Sequence, residues 1–108
     1  MSQDANTVWK DENAQQLAEA LFSISDIATM KNFLRDVMTE KEIIEISARL
    51  EAAKMLTEGK KYTEIIARTK LSSRTVARIN GWLQNGCNGY QVTLNTIHHD
   101  HLSPARAE

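Results

Sequence analysis

Hydrophobic residues recur at steps of three and four along most of this chain, the spacing of amphipathic helices rather than the alternation of strands. The first run predicts a helix over about 8–22, with Asn6 or Thr7 as its N-cap. The second predicts a helix over about 26–37, capped by Ser25. The pattern therefore predicts an all-α fold.

The third predicted helix, over about 40–58, has the clearest ends. Thr39 and Glu42 have the spacing of a capping box, and Gly59 stands where a C-terminal glycine belongs. Its apolar residues form two stripes, because at 100° per residue they separate into the sets Ile43, Ile46, Leu50, Ala53 and Ile44, Ala48, Met55. Such a helix is covered on two sides, either by the rest of this chain or by a partner subunit.

Two short helices are predicted next, over about 63–69 and 73–84, with Ser72 and Ser73 as N-cap candidates. So short a connection makes the two helices cross steeply, as in a helix-turn-helix over about 62–84. In the second helix Val76, Ile79 and Leu83 face inward, whereas Arg74, Thr75, Ala77 and Arg78 face outward.

The predicted organisation is a helical domain over 1–90 followed by a tail over 91–108. The tail is expected to be weakly helical around 91–97 and disordered from Ser103. His98, His99 and His101 lie in it and are interpreted as a surface cluster without a metal.

Composition fits one globular domain. The chain has 108 residues, of which 42% are hydrophobic and 25% charged. The single cysteine, Cys87, excludes an intrachain disulfide. The N-terminus is too polar for a signal peptide, and no apolar run reaches the roughly 20 residues that span a bilayer, so we expect a cytoplasmic protein without membrane association. No nucleophile–histidine arrangement or phosphate-binding glycine loop indicates an enzyme.

Charge is unevenly distributed along the chain. Thirteen basic residues nearly balance fourteen acidic ones, for a net charge of −1. Residues 59–80, here called the basic segment, hold six basic residues and one acidic residue, a local charge of +5, and the other 86 residues sum to −6. This segment coincides with the predicted helix-turn-helix, which favours binding to nucleic acid.

The basic segment also has the side chains that a DNA reader uses. In a helix-turn-helix, the N-terminal end of the second helix lies near the base edges in the major groove. Ser73, Arg74 and Thr75 are predicted to read bases, and Ser72 lies beside them. Contacts to DNA phosphates are assigned to the remaining basic residues of the segment: Lys60, Lys61, Arg68, Lys70 and Arg78. The alternative is a helical module that uses residues 59–80 to bind an acidic protein or RNA.

The stretch MTEKEIIEISARLEAAKMLTEGKKYTEIIARTKLSSRTVARINGWL resembles the Trp repressor family, and SSRTVARINGWLQNGCNGY resembles its YerC/YecD-type branch. The similarity covers about 38–90. It implies an all-helical, intertwined homodimer in which the N-terminal helices of each subunit wrap the other. It further implies a transcriptional regulator, a repressor, that binds double-stranded DNA at a palindromic operator.

The resemblance also implies an effector site. The family's repressor holds the indole of tryptophan between two arginines, which correspond to Arg49 and Arg78. A threonine at the start of the long helix, which corresponds to Thr39, contributes from the other subunit. Other pocket positions differ, because a glycine, a serine and a leucine of the repressor correspond to Ile79, Trp82 and Asp36, and the turn glycine corresponds to Lys70. We therefore expect that the pocket is filled or altered, that L-tryptophan is not a corepressor, and that the protein has no cofactor. Regulation by a different small effector is left as an open alternative.

Overall fold

The computed structural model describes the backbone of residues 7–102 and the side chains of residues 7–97. Within this range all regular structure is helical, as the sequence predicts. A 3-10 turn at Thr7–Lys10 is followed by six α-helices: α1 (Glu12–Ser23), α2 (Ile27–Val37), α3 (Glu40–Thr57), α4 (Tyr62–Thr69), α5 (Ser73–Asn85) and α6 (Gly89–Leu102). The chain divides into two compact units, Met1–Ile44 and Glu45–Glu108.

The first unit begins its helices with aspartates. The Ala14 N–H donates to Asp11 Oδ2 at 2.9 Å, and the Thr29 N–H donates to Asp26 Oδ2 at 2.9 Å. The predicted caps were therefore wrong. Thr7 lies in the 3-10 turn, Ser25 stands one residue too early, and Asn6 lies outside the described residues. A carboxylate both accepts the free amide and interacts favourably with the positive end of the helix dipole.

The described part of the first unit has no buried residue. Its apolar side chains form no closed core, and Phe22 is 92% exposed. Large apolar residues at Val8, Trp9, Leu17, Ile27, Val37 and Ile44 are exposed as well. The chain by itself therefore leaves the apolar faces of α1 and α2 only partly covered.

Both ends of α3 match the prediction. The Glu42 N–H donates to Thr39 Oγ1 at 3.1 Å, and the Thr39 N–H donates to Glu42 Oε1 at 2.8 Å, which is a capping box. At the other end the N–H groups of Gly59 and Lys60 donate to the carbonyls of Leu56 and Met55, with Gly59 at a φ of +81°. This is a Schellman motif, and its left-handed residue is the predicted glycine.

The core lies in the second unit, where α3, α4 and α5 meet. Its buried side chains are Ala52, Ala53, Met55, Ile65, Val76, Ile79 and Leu83, with Tyr90 and Leu94 of α6 packed against them. The two predicted stripes of α3 are each covered only in part. Ala53 and Met55 are buried, whereas Ile44 and Ile46 are exposed.

The C-terminal helix is longer than predicted. A weak helix was expected around 91–97, but α6 runs from Gly89 to Leu102, and its backbone includes the three histidines. The tail from Ser103, predicted to be disordered, lies outside the described residues. Gly86 is the C-cap of α5, and glycine is required there because a Cβ would lie 2.5 Å from the Trp82 carbonyl oxygen. Among the described helices, none combines the length and apolar character that a bilayer crossing needs.

Candidate nucleic-acid interface

The basic segment folds into two packed helices, α4 and α5, joined by residues 70–72. Lys70 makes the turn, with φ 65° and ψ 12°, and its N–H donates to the Ile66 carbonyl at 2.9 Å. This left-handed conformation is the one that glycine adopts readily and lysine adopts only at a cost. Lys70 nevertheless makes the turn and presents an exposed ammonium group there.

The start of α5 is capped by Ser72, one of the two predicted candidates. Its Oγ accepts from the Thr75 N–H at 3.1 Å, and the hydroxyls of Ser72 and Thr75 are 3.0 Å apart. Ser73 is the first residue of the helix. Thr75 is half-buried rather than outward-facing, and its hydroxyl is held by the cap.

The remaining face of α5 follows the prediction. Val76, Ile79 and Leu83 are buried. Arg74, Ala77 and Arg78 are exposed. The two arginines are four residues apart, which places them about one turn, or about 6 Å, apart along the helix axis. Four residues further along the same line lies Trp82, which is 43% exposed.

The described cations of the basic segment differ in whether they are already paired. Arg68 donates from Nε to Glu51 Oε2 at 3.1 Å. The other five, Lys60, Lys61, Lys70, Arg74 and Arg78, are exposed and form no ion pair within the described chain. The five unpaired side chains can therefore attract phosphate with their full positive charge, whereas the charge of Arg68 is largely offset by the Glu51 carboxylate.

The three predicted effector residues have separate surroundings. Thr39 is part of the α3 capping box in the first unit. Arg49 donates from Nη2 to Glu45 at 3.1 Å and lies near Tyr90, where burial raises the pKa of the phenol and the guanidinium offsets part of that rise. Arg78 is exposed on α5.

Metal-ligating side chains are dispersed in the part of the chain that the structure describes. No group of three or more His, Cys, Asp or Glu residues within the described range could hold a metal ion. An open cleft of about 360 Å³ lies between the end of α3 and α6. Its walls mix polar and apolar side chains, namely Lys54, Thr57, Glu58, Gln91, Leu94, Asn95 and Ile97.

Two features of this site were not found from the sequence. The Glu51–Arg68 pair joins residues 17 positions apart, so no helical spacing signals it. The exposure of Trp82 was not predicted either, because this residue was considered as a side chain that fills the effector pocket. A helical-wheel projection of α5 places Trp82 on the same line as the two arginines, and that signal could have found it.

Comparison with known proteins agrees with the geometry. The profile of the Trp repressor protein family matches residues 12–98. The uncharacterized protein YerC of Bacillus subtilis is 31% identical over 88 residues, which cover 82% of this chain and 85% of that protein. The crystal structure of a TrpR-like protein from Eubacterium eligens matches with a TM-score of 0.79 and 34% identity, covering 86% of this chain and 96% of that one. A Staphylococcus aureus crystal structure matches with a TM-score of 0.80 and 25% identity, covering 89% and 96%. With its family profile, its relative and its helical architecture in agreement, this chain belongs to the Trp repressor family.

Proposed function

We propose that this protein is a sequence-specific DNA-binding transcriptional regulator of Trp-repressor type, and that it acts as a repressor. The observation that carries the proposal is the outer face of α5. There Arg74 and Arg78 are exposed and unpaired beside a capped helix start, while the opposite face is anchored in the core. Membership of the Trp repressor family supports the same function.

Binding would begin with attraction between the basic residues and DNA phosphates, and recognition of the base sequence would follow. The unpaired lysines around α4 neutralise phosphates and release counterions, which draws the duplex to this face. Arg74 then donates a bidentate pair to a guanine, since the first turn of a recognition helix lies nearest the base edges. Ala77 leaves room for close approach, and Arg78 contacts the backbone from one turn further along.

The binding form would be a homodimer. The described residues of the first unit include none that is fully buried, and several of their large apolar side chains are exposed and need a cover. A second copy can supply that cover by exchange of N-terminal helices. Two α5 helices about one turn of DNA apart, roughly 34 Å, would then address a palindromic site.

Free tryptophan would not be the corepressor. Ile79 stands where the family's repressor has glycine, and its side chain is fully buried in this chain's own core. The indole of Trp82 stands where that repressor has a small serine. Both side chains reduce the space for an amino-acid ligand between Arg49 and Arg78, so DNA binding is expected without added tryptophan.

The experiment that tests this function is selection of bound duplexes from a random pool, with and without L-tryptophan. We expect one enriched palindromic motif, unchanged by tryptophan. Failure to enrich any duplex would contradict DNA recognition, and enrichment only with tryptophan would contradict the filled pocket. Binding of an acidic protein or of RNA in place of duplex DNA would instead favour an interaction module.

A further inference from the structure

An ion pair joins α4 to α3 beside the proposed DNA-binding face. Arg68 Nε lies 3.1 Å from Glu51 Oε2, and the side chains are 68% and 31% exposed. The other ion pair of the described residues, Arg49 to Glu45, lies within α3. Among the ion pairs of the described residues, the pair between Glu51 and Arg68 is therefore the one that connects two helices.

Helix α4 has few other anchors. It is eight residues long, and its N-cap Lys61 makes no side-chain hydrogen bond. Ile65 is its one buried residue among those described, and Ile66 packs partly buried against the same core. These two adjacent side chains anchor the middle of the helix, and neither of them holds its C-terminal turn against α3. Arg68 lies three residues beyond Ile65, about 4.5 Å along the axis and about 60° around it, so it supplies a second fixed point.

The same contact changes the role of Arg68. Its charge is offset by a carboxylate at 3.1 Å, whereas the five other described cations of the basic segment have no such partner. A phosphate that approached Arg68 would also approach Glu51 and be repelled by it. Arg68 therefore contributes little to counterion release, although the sequence predicts it as a phosphate contact.

We propose that Glu51 and Arg68 act together as a positioning pair, which fixes α4 on α3 and thereby sets the orientation of α4 and α5 toward DNA. The ion pair itself is observed in the structure, whereas its effect on DNA binding rests on the proposed function. Glu51 is a positioning residue outside the basic segment, and it acts through Arg68 rather than by touching DNA.

The test compares Glu51, which lies outside the basic segment, with Glu64, the one acidic residue within it. Glu51→Gln removes the charge that pairs with Arg68, and Glu64→Gln removes an equal charge from α4 where no ion pair exists. Electrostatics alone predicts tighter DNA binding by both variants. The positioning role predicts that Glu51→Gln weakens binding to the selected duplex by about two- to fivefold, the range of an exposed ion pair, while Glu64→Gln tightens it.

The charge-swapped double variant, Glu51→Arg with Arg68→Glu, separates positioning from phosphate contact. We expect each single substitution to weaken binding, and the swap to restore the dissociation constant to within about twofold with an unchanged slope of log K against log salt. The proposal is overturned if Glu51→Gln tightens binding as Glu64→Gln does. It is also overturned if the swap stays weak with a flatter salt slope.

Urea unfolding of the same variants gives a readout that needs no DNA. A positioning pair requires the effects of the two single substitutions to be non-additive, with recovery of the unfolding midpoint in the swap. If the wild-type protein binds no duplex, the proposed function fails, and the unfolding cycle still decides whether the pair holds α4. Additive effects there overturn the inference.

Discussion

Lys70 combines a strained backbone with an exposed charge, so one substitution separates fold stability from DNA binding. Its φ of 65° is the glycine-favoured region, and its side chain is exposed, so Lys70→Gly removes strain without loss of packing. Relief of the left-handed conformation is worth about 1–2 kcal/mol, and the added freedom of glycine in the unfolded chain takes back about 0.4–1 kcal/mol. The expected net gain in unfolding free energy is about 0.5–1 kcal/mol.

The same substitution should weaken DNA binding. Each lost phosphate contact lowers the steepness of log K against log salt by about 0.9, which corresponds to about fivefold in affinity at 0.15 M salt. A dimer loses two such contacts, so about thirtyfold is expected. Urea unfolding gives the stability, and fluorescence polarisation of a labelled duplex across a salt series gives the affinity and slope.

Lys70→Ala is the matched control. It removes the same charge but keeps a Cβ in the left-handed conformation, so it should lose DNA affinity like Lys70→Gly without the gain in stability. Equal unfolding free energies for the glycine and alanine variants would contradict the strain argument. An unchanged salt slope in both would remove Lys70 from the phosphate contacts.

Three further predictions concern the caps and the uncovered face. Ser72→Ala should lower the unfolding free energy by about 1 kcal/mol through loss of the α5 cap, whereas Ser73→Ala should change it little, as urea unfolding will show. Hydrogen bonds from Thr29 lower the folded-state pKa of Asp26 below its usual 3.8, so its stabilising contribution is present above the unfolded pKa and is lost as pH falls through the folded one. Acid titration of unfolding should show that loss in wild type and not in Asp26→Asn. Because we propose that a second copy covers this side chain, Phe22→Ala should lower the unfolding free energy of the dimer by about 3–5 kcal/mol and raise the protein concentration at which dimers form, as urea unfolding at several concentrations will show. An almost unchanged free energy would mean that the side chain stays 92% exposed.

The parts of the fold that were predictable are those with redundant local signals. In α5, buried Val76, Ile79 and Leu83 repeat at helix spacing and Ser72 caps the start, so pattern and cap chemistry agree. In α3, the Thr39–Glu42 box and Gly59 mark both ends independently of the apolar pattern. Agreement between two unrelated signals explains why these elements were right.

The parts that were not predictable depend on choices between equivalent residues or on distant contacts. Asn6, Thr7 and Asp11 can all cap α1, and Ser25 and Asp26 can both cap α2, so periodicity alone could not select the aspartates. The two-striped pattern of α3 indicated cover on both sides, but it could not say that the chain itself covers only the C-terminal half. That half is the one that meets the core.

The outer face of α5 can be tested as the DNA-binding surface by polarisation of the selected duplex across a salt series, with two double variants of equal charge change. Arg74→Ala with Arg78→Ala removes the exposed pair on α5, and Lys31→Ala with Arg35→Ala removes an exposed pair on α2, outside the basic segment. We predict that the α5 variant loses more than about tenfold in affinity and has a flatter salt slope, since a bidentate base contact is worth roughly 1–3 kcal/mol. The α2 variant should bind like wild type. Equal behaviour of the two variants would contradict DNA recognition by α5.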